Sequence, residues 1–156
     1  MKCIKQKPGS KNCVACVAAM VTNTSIEEFV EHCKIVHDNA YEPYSFYELV
    51  TYLASKNFTI PIGINNFQLN EDSIEEAAKS FRLNLPAILV VKSMTLHNAY
   101  HCVYWDGERV LDPNPLIQKD GLQLKDYKIE SWVPVRPMNN FQKQQKAALS
   151  PLCNFF

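Results

Sequence analysis

The chain has 156 residues, with 16 Lys+Arg and 16 Asp+Glu, so its formal net charge is zero. Hydrophobic residues make up 47% and charged residues 21%, ordinary for one globular domain with a sizeable core. The balanced charge argues against a nucleic-acid partner, and no apolar run is long enough to span a membrane.

The N-terminal stretch M-K-C-I-K-Q-K-P-G lacks the apolar core of a signal peptide, so a cytoplasmic location is expected. The six cysteines (Cys3, Cys13, Cys16, Cys33, Cys102, Cys153) are then expected as reduced thiols. Residues 1–10 read as an extended basic lead-in ending in the turn formers Pro8-Gly9-Ser10. Gln6 is its uncharged, donor-rich residue. Lys11–Met20, K-N-C-V-A-C-V-A-A-M, is Ala-rich without Gly or Pro and predicts a buried helix over Cys13–Asn23. Asn12 is placed to cap it with its side chain. Ser25 with Glu28 opens a second helix, and Ser45 with Glu48 a third. Ser73 with Glu76 opens a fourth, ending near Asn84.

The second half of the chain changes character. Phe58–Ile64 is rich in β formers. Pro86–Lys92 is apolar on both faces and predicts a central strand. Tyr100–Trp105 and Glu108–Leu111 flank Asp106-Gly107, a two-residue hairpin signal. Ser131–Pro137 predicts a strand whose prolines suit an edge. Helices first and an antiparallel sheet second give an α+β plan. Residues 1–137 form the expected domain, and 138–156 a short C-terminal helix and tail.

Cys13 falls in the first turn of an apolar helix, where unpaired N–H groups and the helix dipole favour a thiolate. A two-residue turn at 106–107 pairs residues whose numbers sum to 213, so His101 faces Asp112. An Asp beside an imidazole fixes its tautomer and stabilises its protonated form. A thiol, a His–Asp pair and an upstream Gln are the parts of thiol acyl transfer: nucleophile, base, orienter and oxyanion donor.

The order Gln6, Asn12-Cys13, Met20, His101, Asp112-Pro113 resembles the papain-like cysteine peptidases. Within them it is most similar to the double-glycine leader, or bacteriocin-processing, peptidases. The resemblance covers residues 6–20 and 97–115. It implies Cys13 as nucleophile, His101 as base, Asp112 as orienter and Gln6 in the oxyanion hole. It also implies a peptide or protein substrate, with no cofactor and no metal. Asn12 stands where that branch has Asp, Val14 where it has Gly, and the Gln-to-Cys gap is a residue longer.

Two other classes compete. Cys13-x2-Cys16 with Cys33-x3-His37 is a possible zinc ligand set. A non-catalytic binding protein on a decayed peptidase scaffold would keep the elements and lose the chemistry. The remaining residues have plainer roles. Cys16, Cys33 and Cys102 fit apolar faces, and His32, His37 and His97 read as solvated or capping. Trp105, Tyr41, Tyr44 and Tyr47 read as core, with the lining of a substrate groove as the alternative.

Overall fold

The computed structural model describes residues 2–60, 86–117 and 122–138. Helix α1 spans Cys13–Thr22, α2 Ile26–His37 and α3 Phe46–Ser55. The strands are β1 Phe58–Thr59, β2 Ala87–Lys92, β3 Tyr100–Trp105, β4 Val110–Leu111, β5 Ile129–Pro134 and β6 Arg136–Pro137. The plan is α+β with antiparallel pairing throughout, as expected. The fourth helix (73–84), residues 61–64 of the β-rich run and the C-terminal segment after Met138 lie outside the described residues.

Local chemistry explains the helix ends. At Lys7–Ser10 the Ser10 N–H donates to the Lys7 carbonyl, and Gly9 takes φ +81° at the position that demands it. The chain then enters α1. Ala15 to Val21 are all buried, because α1 packs on α2, α3 and β3 together. Asn23 ends α1 in the left-handed region. Ser25 accepts from the Glu28 N–H, and Ser45 with Glu48 makes a complete capping box.

Asn12 corrects an expectation. It occupies the N-cap position of α1 but makes no side-chain cap bond. Its φ −102°, ψ 29° is not the extended conformation that aims a side chain at the helix N–H groups. Its Oδ1 instead accepts from Ser10 Oγ at 2.7 Å and faces Cys16 Sγ at 3.9 Å.

One sheet has the strand order β4-β3-β2-β5, and β1 with β6 makes a small second one. β2 is central, as its two apolar faces require. Ile88, Cys102, Tyr104 and Leu111 join the helix-side core. Ala87, Leu89, Val91, Val103, Trp105 and Tyr127 pack on the other face. β5 forms the edge and ends at Pro134. Trp105 and Tyr44 are core residues as expected, whereas Tyr41 and Tyr47 stand exposed. Among the described residues, no single helix is long and apolar enough to cross a membrane.

The hairpin differs from the two-residue turn. Trp105 pairs with Val110 and Tyr104 with Leu111, so partner numbers sum to 215. Asp106 opens a four-residue loop instead. Its Oδ1 accepts from the Glu108 and Arg109 N–H groups, and its own N–H donates to the Arg109 carbonyl. These side-chain bonds stabilise the longer turn.

Candidate active site

The shift from 213 to 215 is two residues, and side chains alternate faces with period two. His101 therefore stays on the Asp112 side of the ribbon, as a diagonal neighbour instead of a direct partner. His101 Nε2 lies 2.7 Å from Asp112 Oδ1. The pair is in contact, although the expected register was wrong.

The ladder's end creates the rest of the site. After Tyr104–Leu111, the next position on that side would match Cys102 with Pro113. Proline has no N–H to give. The Pro113 carbonyl already accepts from the Gln6 N–H at 2.8 Å. The Cys102 N–H is thereby left for the Cys13 sulfur, which also receives the Val14 N–H. The Cys13 thiol meets the His101 side chain as well. With Nε2 on Asp112, Nδ1 is the ring atom left for the sulfur. Cys13, His101 and Asp112 form one chain of contacts from α1 through β3 to the segment after β4.

The electrostatics follow. Burial pushes the Cys13 thiol up, but His101 and the Cys102 and Val14 N–H groups outweigh it and hold it below its ordinary value. Burial pulls the His101 imidazolium down, but Asp112 and Cys13 raise it to about 9. Burial opposes the Asp112 charge, yet hydrogen bonds from His101 and Tyr127 hold its carboxyl below the usual range. All three directions favour an imidazolium held between a thiolate and a carboxylate.

Asp112 is only 3% exposed, and its oxygens are well occupied. Oδ1 also accepts the Asn114 N–H at 2.8 Å, and Oδ2 accepts the Tyr127 hydroxyl at 2.6 Å. Neither partner is foreseen from the sequence. Asp-Pro-Asn is a turn signal that could have pointed to Asn114. Nothing local points to Tyr127, which arrives from a separate loop before β5.

Gln6 sits beside these elements. Its Nε2 donates to the Ser10 carbonyl at 3.1 Å, and its backbone is tied to Pro113. The neighbouring lead-in residues hold the same loop. Lys5 Nζ donates to the Asp112 and Ile117 carbonyls at 2.8 and 2.6 Å, and Cys3 Sγ to the Asp112 carbonyl at 3.2 Å.

The zinc set is not brought together. Cys13 faces His101, Cys33 is buried in the helix-side core, and His37 bonds the Thr51 hydroxyl. Among the described residues, no group of three or more His, Cys, Asp or Glu could hold a metal ion. His32 and His37 converge on Thr51 Oγ1, at 3.3 and 2.7 Å. Comparison with protein-family models, with curated proteins and with solved structures finds no match for this chain.

Proposed function

We propose that the chain is a papain-like thiol hydrolase, a cysteine peptidase akin to those that trim double-glycine leaders. The observation that supports it is the Cys13–His101–Asp112 chain, with the thiol at a helix N-terminus and the carboxylate buried. The Cys13 thiolate attacks the substrate carbonyl, and a C–S bond forms. The resulting oxyanion is held by the Cys13 N–H, which has no partner within the helix, and by the Gln6 amide. The His101 imidazolium protonates the leaving amine, the C–N bond breaks, and an acyl-enzyme remains. His101 then takes a proton from the water that releases the acyl group. A protein that only bound peptides would leave the polarised thiol and the His101–Asp112 pair without a task.

The test is turnover of a library of fluorogenic peptide amides by the parent and by Cys13→Ala. Cleavage by the parent, its complete loss in the variant, and an acyl group mapped to Cys13 after acid quench are expected. Absence of cleavage across the library, with no acyl capture at Cys13 from activated esters, would refute the hydrolase.

Gln6 offers a second, smaller expectation. One of its two amide hydrogens engages Ser10, leaving the other for an oxyanion. Gln6→Ala should lower kcat about a hundredfold, the loss typical for one oxyanion donor. A fall in thermal stability with kcat unchanged would make Gln6 a fastener of the lead-in alone.

A further inference from the structure

Cys16 is the nucleophile that this mechanism leaves unused. It lies one turn after Cys13 in α1 and is wholly buried. Residues three apart in a regular helix have Cα atoms about 5 Å apart, from its radius and rise. Disulfides span Cα separations of about 4.4–6.8 Å and Cβ separations of about 3.5–4.5 Å, so closing this pair draws the first turn in from the about 5–6 Å Cβ spacing of a regular helix. The Cys16 sulfur also points back along the helix, because it faces Asn12 Oδ1 at 3.9 Å. It therefore lies over the first turn, the turn that Cys13 begins.

We propose that Cys13 and Cys16 form a reversible redox pair, in which a peroxide oxidises Cys13 and Cys16 captures the product as an intrahelical disulfide. The proposal needs a reactive Cys13 thiolate but not peptide cleavage. In the first step the Cys13 sulfur attacks a peroxide oxygen. The S–O bond forms, the O–O bond breaks, and hydroxide leaves with the electron pair. Sulfur is oxidised and the peroxide is reduced. In the second step the Cys16 sulfur attacks the Cys13 sulfenic acid. The S–S bond forms, the S–O bond breaks, and the departing hydroxide takes the Cys16 proton to become water. An external dithiol restores both thiols by exchange.

Burial and charge set the order of events. Cys16 is closed to solvent, so the peroxide meets Cys13 first. Burial pushes the Cys16 thiol up to about 12, and the neighbouring Cys13 charge adds to that. A sulfenic acid is neutral, so oxidation of Cys13 removes that repulsion. Cys16 stays quiet while Cys13 is reduced and ionises more readily once it is oxidised. Cys102 is the competing thiol at the same α1–β3 contact. It presents its backbone N–H to the Cys13 sulfur, and its own thiol is held up by burial.

The experiment treats the whole chain with one equivalent of hydrogen peroxide, blocks free thiols, and maps peptides by mass spectrometry without reduction. The expected product is a Cys13–Cys16 disulfide, reversed by dithiothreitol with return of iodoacetamide labelling at Cys13. Cys16→Ala should instead carry Cys13 on to sulfinic and sulfonic acid, which no dithiol reverses. Cys102→Ala should keep the disulfide. Sulfinic acid at Cys13 in the parent, or a disulfide to Cys102 or Cys3, would overturn the pairing while leaving the hydrolase intact. A Cys13 inert to both peroxide and iodoacetamide would remove both proposals. Should Cys16→Ala fail to fold, the map of the parent alone decides.

Discussion

His101→Ala will abolish most of the preference of iodoacetamide for Cys13. At about pH 6 an ordinary thiol is almost entirely protonated. Cys13 differs because His101 and two backbone N–H groups oppose the effect of burial. Removing the imidazolium leaves burial in place and takes away a full positive charge at the sulfur. An adjacent charge supplies one to three pKa units, so the labelling rate should fall about tenfold to a thousandfold. Three of the other described thiols offer no substitute. Burial pushes Cys16 up to about 12 and Cys33 up to about 11, and it raises Cys102 well above its ordinary value. The measurement is alkylation read by peptide mass spectrometry for parent and variant. Even labelling across several cysteines in the parent, or an unchanged Cys13 rate in the variant, would contradict a Cys–His pair.

Asp112→Asn carries the second large effect. The carboxylate holds the His101 ring in one orientation and, with Cys13, raises its pKa to about 9 against burial. In Ser-His-Asp triads an amide in that place lowers turnover by about four orders of magnitude, and a loss of orders of magnitude is expected here. Stability should respond as well, with a definite sign. A ring raised from 6.5 to about 9 contributes about 3 kcal/mol, fully present below 6.5 and lost as pH rises through about 9. Asp112 is shifted the other way, so its share is present above the ordinary carboxylate range and lost as pH falls through its lowered value. Urea midpoints of the parent should therefore be highest between those limits and decline toward about pH 10. In Asp112→Asn that alkaline decline should flatten. Tyr127→Phe removes only the hydroxyl on Oδ2, so the parent's pH profile should persist with a smaller loss of turnover. An alkaline decline of equal size in parent and Asp112→Asn would detach His101 from Asp112.

Local chemistry made much of this legible in the residues. Ser25, Ser45 and their glutamates mark α2 and α3 because capping is a contact within four residues. β3 was legible from its own residues and β2 from its two apolar faces. The Asp106-Gly107 turn signal carries the wrong residue count and still puts His101 and Asp112 on one face, because an error of two preserves the face, whereas an error of one sends Asp112 to the helices. The missing Asn12 cap is not legible because capping depends on φ and ψ, and here Asn12 Oδ1 is taken by Ser10 instead. Tyr127 was illegible for a different reason. Its partner is fixed only when the loop before β5 folds over the far face of the sheet.

The lead-in's grip on the Asp112 loop has a consequence for the order of assembly. Cys3 and Lys5 bond that loop across more than a hundred residues of sequence. α1, α2 and α3 meet one another close along the chain, and such contacts form early because little entropy is lost in closing them. The thiol is thus in place on its helix while His101 and Asp112 are still on the unfolded remainder. Until the last strands fold, Cys13 has its helix but neither the imidazolium nor the Cys102 N–H that hold its thiol below its ordinary value.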